Sequence, residues 1–290
     1  EIGHPAGEAL ALVDLNVAAS YTDDHENALA WARQAQRIDP ARIPGWLARL
    51  SSDTLTDALS GAGELTAAQR SCAEGLARAR LAGAHWDQAY CLWQMADLEQ
   101  QTGHISEAGE HLWEALELAA RIGDRLRLLD CLELCGHLCA ATRRWAEAIT
   151  VWAAYAARRQ DDGILVDLPQ NVRRRQEPLR KAEQALGSGR MRAAEDRGAA
   201  MTLATAVEFA ALLAAAGPQQ PQAPPGLGRL SPRERELVAL VAQGRTDAQI
   251  AGQLYISVST VRSHLDRIRD KSGCRRRADL TRLALQAGLV

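Results

Sequence analysis

The chain has 290 residues, 47% of them hydrophobic, which is enough for one large domain or for two or three smaller domains with buried cores. It carries six cysteines and a formal net charge of −2. It shows no secretory signal, and its most apolar window, residues 199–216, is mostly alanine and includes Thr202, Thr205 and Glu208, which argues against a membrane span. We therefore predict a cytoplasmic chain without a disulfide framework. Because residue 1 is not methionine, we interpret the chain as a fragment or a processed product.

An internal repeat of 40 residues runs through the first half of the chain. Three segments beginning at Gly61, Thr102 and Thr142 align in phase, and an earlier copy at 23–40 keeps Ala28 at the same position. Small residues let two helices cross closely and a glycine ends the second helix, so each unit predicts a stacked helical hairpin. The corresponding positions are Leu65, Ile105 and Trp145, then Ala68, Ala108 and Ala148, then Gly83, Gly123 and Gly163.

The helix before each of these segments repeats as well. Residues 87–100 align with 127–140 and place Leu92 over Leu132. This agreement predicts about four helix pairs over residues 1–160, forming an all-α helical-repeat solenoid. The units resemble tetratricopeptide-type repeats, although their period is longer than the usual one of about 34 residues.

Three cysteines, Cys131, Cys135 and Cys139, lie at i, i+4 and i+8 on one predicted helix face. Such a set could bind a metal or sense oxidation. However, Cys131 corresponds to Cys91 one repeat earlier and Cys135 to Met95, and both fall at inward packing positions where cysteine is common. We predict a packing role for all three, and no metal or other cofactor in this chain.

Residues 161–216 are a predicted helical connector. In its first part, Pro169 and Pro178 flank a basic run at 173–175, and the helical pattern resumes from Leu179. The basic run is either a phosphate contact or, in the interpretation we prefer, a solvated surface. After the connector, residues 217–228 are rich in proline and predict a flexible or polyproline-like linker.

The tail, residues 229–290, predicts four short helices. Ser231 is a good N-cap, Pro232 suits the first helical position and Glu234 completes a capping box. Thr246 caps a second helix of about two turns, and Ser257 caps a third. One side of the third helix must be buried, because apolar residues recur on it at i, i+3, i+7 and i+10. These residues are Val258, Val261, Leu265 and Ile268.

The other side of the third helix is polar, which suits a helix laid in a groove of DNA. Two short helices joined by a tight turn, with the second polar outward, are the helix-turn-helix arrangement. The tail carries a net charge of about +6 while residues 1–228 carry about −8, so basic charge is concentrated where a phosphate backbone would lie. A four-helix bundle with a solvated face is the alternative. The candidate DNA contacts are Thr246, Ser257, Ser259, Thr260, Arg262, Ser263, His264, Asp266 and Arg267.

The runs LSPRERE, VAQGRT, ISVSTVRSHLDRIRDKSG and RRRADLTRLALQAGLV resemble the LuxR-type helix-turn-helix domain of bacterial transcription regulators over the whole tail. The resemblance implies that the third helix reads the major groove, with Arg262, Ser263 and Asp266 facing the bases. An acid at position 266, where relatives often carry a basic or neutral residue, can accept from cytosine N4. The resemblance also implies that the fourth helix contributes to dimerisation, and the candidates there are Leu280, Leu283 and Ala287.

Residues 182–210 resemble the stretch that joins the repeats to the DNA-binding domain in large ATP-binding, MalT-like LuxR-type regulators. No G-x-x-x-x-G-K-[ST] motif occurs in the 290 residues, so the ATPase domain of those regulators is not in this chain.

Two functions follow as hypotheses. In the first, the chain is a sequence-specific transcription regulator whose repeats receive an inducer or a protein partner. The resemblance implies that a homodimer binds double-stranded DNA, and it allows RNA polymerase as a further partner. This hypothesis involves no membrane. In the alternative, the chain is a helical-repeat interaction scaffold whose basic tail binds something other than DNA. No Ser/His/Asp arrangement can be justified from the spacing, so we predict no enzymatic activity.

Overall fold

A computed structural model describes residues 4–163, 169–216, 230–287 and 289. None of these residues lies in a β-strand, and the predicted all-α class is confirmed. The predicted linker at 217–228 lies outside the described residues. Contacts divide the chain into two compact units, one of residues 1–127 and 166–175 and the other of residues 128–165 and 176–290. These units do not coincide with the domain boundaries predicted from the sequence, which stay a prediction.

The first unit contains three helix pairs and a short 3-10 turn at Pro40–Arg42. In each pair the two helices pack against each other, and successive pairs are also in contact. The helices are α1 (Pro5–Tyr21), α2 (His25–Ala35), α3 (Gly45–Gly61), α4 (Leu65–Leu81), α5 (His85–Gln101) and α6 (Ile105–Ile122).

The 40-residue period is visible in both burial and backbone. The alanines that correspond between repeats are fully buried: Ala28, Ala68, Ala108 and Ala148. In the turn inside each pair a residue with positive φ recurs at the same spacing: Asp23, Gly63, Gly103 and Arg143. Four helix pairs are therefore present before residue 162, as predicted, while their assignment to tetratricopeptide-type repeats stays a prediction.

The second unit begins within α7 (Arg125–Ala141) and continues with α8 (Trp145–Asp161). The Trp152 indole lies across α7 and donates from Nε1 to the Glu133 carbonyl at 3.1 Å. A Cβ built on Gly136 would lie 2.2 Å from the same indole nitrogen. Only glycine fits at position 136, which the alignment of 87–100 with 127–140 pairs with another small residue, Ala96.

The connector helix α9 (Pro169–Ala200) begins ten residues earlier than the sequence predicted. Proline is compatible with the first turn of a helix, so Pro169 starts this helix rather than interrupting it. The basic run is not simply solvated, since Arg173 pairs with Asp23 and Arg174 Nη1 lies 2.6 Å from Asp97 Oδ1 within the first unit. A break in the helix follows at Gly187, whose φ is 74°.

The three cysteines of α7 are buried, which agrees with the predicted packing role. Cys135 Sγ lies 3.7 Å from the Ala210 carbonyl of α10 (Leu203–Ala215). Cys139 lies beside Cys135 on the same helix. The hydrogen bond between the two thiols, together with burial, raises the pKa of the Cys139 thiol well above its usual value. The thiol therefore stays protonated and behaves as a packing group.

The last four helices are α11 (Pro232–Ala242), α12 (Asp247–Leu254), α13 (Val258–Ser272) and α14 (Arg277–Gln286). Helix α10 packs on α8 and also on α14. The turn after α11 approaches the end of α9, because a Cβ on Gly244 would lie 2.6 Å from Ala200 Cβ. The connector is thus in direct contact with the tail. Among the described residues, no helix has the length and apolar character that crossing a bilayer requires.

Candidate nucleic-acid interface

Helix α11 begins with the predicted capping box. The Glu234 amide donates to Ser231 Oγ at 3.2 Å, and the Ser231 amide donates to Glu234 Oε2 at 2.8 Å. Lys271, in the last turn of α13, donates from Nζ to Glu234 Oε1 at 2.7 Å. The Lys271 hydrogen bond, followed by the Ser231 amide, lowers the pKa of Glu234 to about 2. Glu234 therefore caps α11 and also anchors the end of α13 as a carboxylate.

The turn between α12 and α13 is short and sharply defined. Thr246 and Gln249 form a second capping box at the start of α12, which ends at a residue in the left-handed conformation, Tyr255, with φ of 54°. Ser257 then accepts the Thr260 amide at 3.1 Å and starts α13. Tyr255 is 95% exposed, so it contributes nothing to the core.

One face of α13 is fixed by the core of the tail. Val261, Leu265 and Ile268 are buried and belong to one cluster with residues of α11, α12 and α14. Among those partners are Leu237 and Ile250, both fully buried. Because this face is held by packing, the opposite face of α13 has a defined direction.

The opposite face presents most of the predicted contact residues to solvent. Arg262 is the most prominent, with its side chain 71% exposed. The His264 ring is half-buried, and its Nδ1 has no hydrogen-bond partner among the described residues. Thr260 is also half-buried. The exposed residues are Thr246, Ser257, Ser259, Arg262, Ser263, Asp266 and Arg267.

Ion pairs organise this surface in a way that the sequence reasoning missed. The Asp247 carboxylate lies 2.8 Å from Arg277 Nη1 and 3.6 Å from Arg262 Nε. Arg269 Nη1 lies 2.8 Å from Asp266 Oδ1, and Arg267 Nη2 donates to Ser263 Oγ at 3.3 Å. The i, i+3 spacing of Asp266 and Arg269 could have revealed their pair, whereas the Asp247 contacts join residues that lie far apart in sequence.

The charge of Asp266 is thus balanced locally. An acid in a groove-facing position repels phosphate, but Arg269 offsets that repulsion while leaving carboxylate lone pairs free to accept. The surface keeps Arg262 and Arg267 as exposed cations.

The residues predicted for dimerisation are less accessible. Leu280 and Leu283 of α14 are buried in the core of the tail itself, and Ala287 just after the helix is half-buried. Their role in a dimer stays a prediction.

Residues 229–284 match the model of the luxR family of bacterial regulatory proteins, GerE. The tail carries a LuxR-type helix-turn-helix domain. The response regulator Rre1 of Synechocystis is 42% identical over 60 residues, which is 21% of this chain and 26% of Rre1. The transcriptional regulatory protein MctR of Rhizobium johnstonii is 37% identical over 65 residues, 22% of this chain and 30% of MctR.

A third relative extends beyond the LuxR-type domain. Mb0914c of Mycobacterium bovis, a proposed HTH-type transcriptional regulator, is 26% identical over 210 residues, which cover 70% of this chain and 23% of Mb0914c. The chain thus spans less than a third of the length of each of these relatives. No solved structure matches the chain.

Proposed function

We propose that this chain is part of a sequence-specific transcription regulator in which α13 lies in the major groove of double-stranded DNA. The observation that carries the proposal is the two-sided character of α13. Its apolar face is locked into the core through Val261 and Ile268, while Arg262, Ser263 and Arg267 are exposed on the other side. The LuxR-type domain supports the same assignment.

Each exposed side chain of α13 has a distinct role in this proposal. Arg262 forks onto guanine O6 and N7, and Asp266 accepts from cytosine N4. The Arg262 pair with Asp247 is solvent-exposed and costs little to break, so it does not oppose base reading. Arg267 and the Thr260 hydroxyl contact phosphate and set the position of the helix on the duplex.

The remaining partners belong to the same proposal. A homodimer on DNA uses α14, with Ala287 at its edge, and RNA polymerase is a further partner. The helix pairs bind an inducer or a protein. The chain therefore acts in the cytoplasm by binding and not by catalysis. It needs no membrane and no cofactor of its own. An interaction scaffold with a basic tail is the alternative, and the defined polar face of α13 favours DNA over it.

The test is selection of bound sequences from random double-stranded DNA by gel retardation, carried out with the full chain. We expect enrichment of a short motif, and loss of that enrichment in the Arg262→Ala/Arg267→Ala double variant. Glu117→Gln on the exposed surface of α6 is the matched control and should select the same motif. Failure of the folded chain to retard any DNA at low salt would contradict the proposal and favour the scaffold.

A further inference from the structure

The first unit contains a group of hydrogen-bond acceptors that the donors of the described residues fill only in part. Asp53 and Asp57 lie one turn apart on α3, and Gln94 lies opposite them on α5. The Asp53 residue is only 8% exposed, and Gln94 Nε2 donates to its backbone carbonyl rather than to its carboxylate. A carboxylate that is largely removed from water is unfavourable unless donors or a cation balance its charge.

Gln94 adds an independent sign of a missing donor. The residue is 3% exposed, and its Nε2 donates to Asp57 Oδ1 at 2.8 Å, which fixes the carboxamide beside the two carboxylates. Its Oε1 is buried and has no hydrogen-bond partner in the part of the chain that the structure describes. An amide oxygen in this position accepts a hydrogen bond and cannot donate one.

The group is reachable from solvent. Asp57 is exposed, and desolvation raises the pKa of its carboxyl group. Tyr90 Oη donates to Asp57 Oδ2 at 2.7 Å, and the Trp86 ring stacks on Tyr90 with centroids 5.7 Å apart. Trp86 is 49% exposed, so one aromatic ring of this group faces solvent. We refer to Asp53, Asp57, Trp86, Tyr90 and Gln94 as the acidic recess.

The local charges favour a cation. Desolvation, followed by repulsion from Asp57 and Asp87, raises the pKa of Asp53 to about 7, although Arg127 and Arg78 oppose the change. Asp87 is already paired with Arg49, whose Nε lies 2.7 Å from its Oδ2. Arg127 and Arg78 thus offset only part of the negative charge around Asp53.

The aromatic rings of the recess already accommodate one cation. The Arg127 guanidinium lies 4.3 Å from the Tyr90 ring centroid and 4.7 Å from that of Trp93. Aromatic faces attract organic cations through their quadrupole. The described residues contain no group of three or more His, Cys, Asp or Glu side chains arranged to hold a metal, which points to an organic cation rather than a metal ion.

We propose that the acidic recess binds a small organic cation whose ammonium or guanidinium group donates to the Asp53 carboxylate and to Gln94 Oε1. The apolar part of the ligand lies against Trp86. Binding of the cation does not depend on the proposed function. The inference rests on that function only where it identifies this ligand as the inducer that the helix pairs receive.

Calorimetric titration of the full chain with n-pentylamine tests the site, with 1-pentanol as an uncharged ligand of the same length. At about pH 8 the amine binds and the alcohol does not. Asp53→Asn weakens amine binding at least about tenfold, the effect of removing one charge-assisted contact. Glu117→Gln, which removes an exposed charge on α6, leaves the binding unchanged.

The pH dependence adds a second readout. Between about pH 8 and pH 6 the affinity of the wild-type chain for pentylamine falls about tenfold, because Asp53 becomes protonated while the amine stays charged. Asp53→Asn removes this dependence. The substitution is isosteric and relieves a buried charge, so the variant folds.

Three results would overturn the proposal: no binding of pentylamine by the folded chain up to about 10 mM, equal binding of pentanol, or unchanged amine binding by Asp53→Asn. Binding of acetyl-Gly-Lys-Gly-amide but not of the free amine would assign the recess to a protein partner and also overturn it. DNA retardation is measured on the same samples. Retardation without amine binding rejects this inference alone, whereas amine binding without retardation rejects only the proposed regulator.

Discussion

Lys271 Nζ lies 2.7 Å from Glu234 Oε1, and this pair ties the last turn of α13 to the first turn of α11. The Glu234 side chain is buried and also completes the cap of α11, so one carboxylate stabilises two helices. The contact thus joins α13 to α11 in addition to the packing of the apolar face of α13.

Lys271→Met should therefore destabilise the LuxR-type domain by about 1–3 kcal/mol, since it leaves a buried carboxylate without its cation. The folded pKa of Glu234, about 2, lies below its ordinary value, so the stabilisation is present above about pH 4.5 and is lost as the pH falls towards 2. Hydrogen exchange of the α11 and α13 amides measures the change. Lys181→Met, at a lysine paired with an exposed glutamate, is the matched control and should change stability by less than about 0.5 kcal/mol. Equal protection in both variants would show that the pair is not structural.

Gly244→Ala should loosen the contact between the connector and the tail. Gly244 has φ of 75°, and an added Cβ would meet Ala200 Cβ at 2.6 Å, so both backbone strain and a clash result. We expect a loss of about 1–3 kcal/mol. Gly252→Ala is the matched control, because an added Cβ there meets nothing within 4 Å and the residue is helical. Thermal unfolding monitored by circular dichroism measures the stability of both variants. If Gly244→Ala unfolded at as high a temperature as Gly252→Ala, the close contact would be ruled out.

Asp53→Asn should stabilise the first unit at neutral pH. The folded pKa of Asp53, about 7, is raised above its ordinary value of 3.8, so the wild-type chain loses stability as the pH rises from about 4 to about 7. The variant should lack this loss, so above pH 7 its free energy of unfolding should exceed that of the wild-type chain by on the order of a few kcal/mol. Urea unfolding followed by tryptophan fluorescence reports mainly on this unit, because five of the seven tryptophans lie in it. Parallel pH profiles of wild type and variant would contradict the assignment.

Cys135→Ala should lower stability without changing DNA binding. The thiol is buried between α7 and α10, so truncation leaves a small cavity that costs about 1 kcal/mol or more. Cys139→Ala and Cys131→Ala should behave in the same way. Urea unfolding and gel retardation measure the two properties separately. Stoichiometric zinc or iron in the purified chain, lost on any of these substitutions, would reverse the packing interpretation.

Periodicity and capping residues account for how well the sequence predicted the fold. The buried alanines at 28, 68, 108 and 148 recur every 40 residues, and the caps Ser231, Thr246 and Ser257 each begin a helix where expected. Such signals are local or strictly periodic, so they can be recognised in one sequence. The start of α9 was predicted wrongly because Pro169 is compatible with both a break and a first helical turn.

The contacts that were missed are those between distant residues. Asp247 with Arg277, Glu234 with Lys271 and Gly244 with Ala200 depend on how helices pack, and no spacing rule reports them. The acidic recess was missed for the same reason, since Asp57 and Gln94 are 37 residues apart. The polar face of α13, in contrast, could be listed from the sequence, because a helix places residues of known spacing on one side.

The central claim is that α13 reads DNA through two arginines with separate tasks. Arg262→Ala should cost about 1–3 kcal/mol of binding and relax the preference at a single base position, because its guanidinium contacts a base edge. Arg267→Ala should weaken binding to all sequences alike and lower the salt slope by about one, because it contacts phosphate. Each arginine thus serves as the control for the other.

The most direct test is a comparison of the base preferences selected by wild type, Arg262→Ala and Arg267→Ala, with folding checked by circular dichroism. The prediction is that only Arg262→Ala loses preference at one position, while Arg267→Ala keeps the wild-type motif at lower affinity. Unchanged affinity and unchanged base preference in a folded Arg262→Ala variant would contradict the placement of α13 in the major groove.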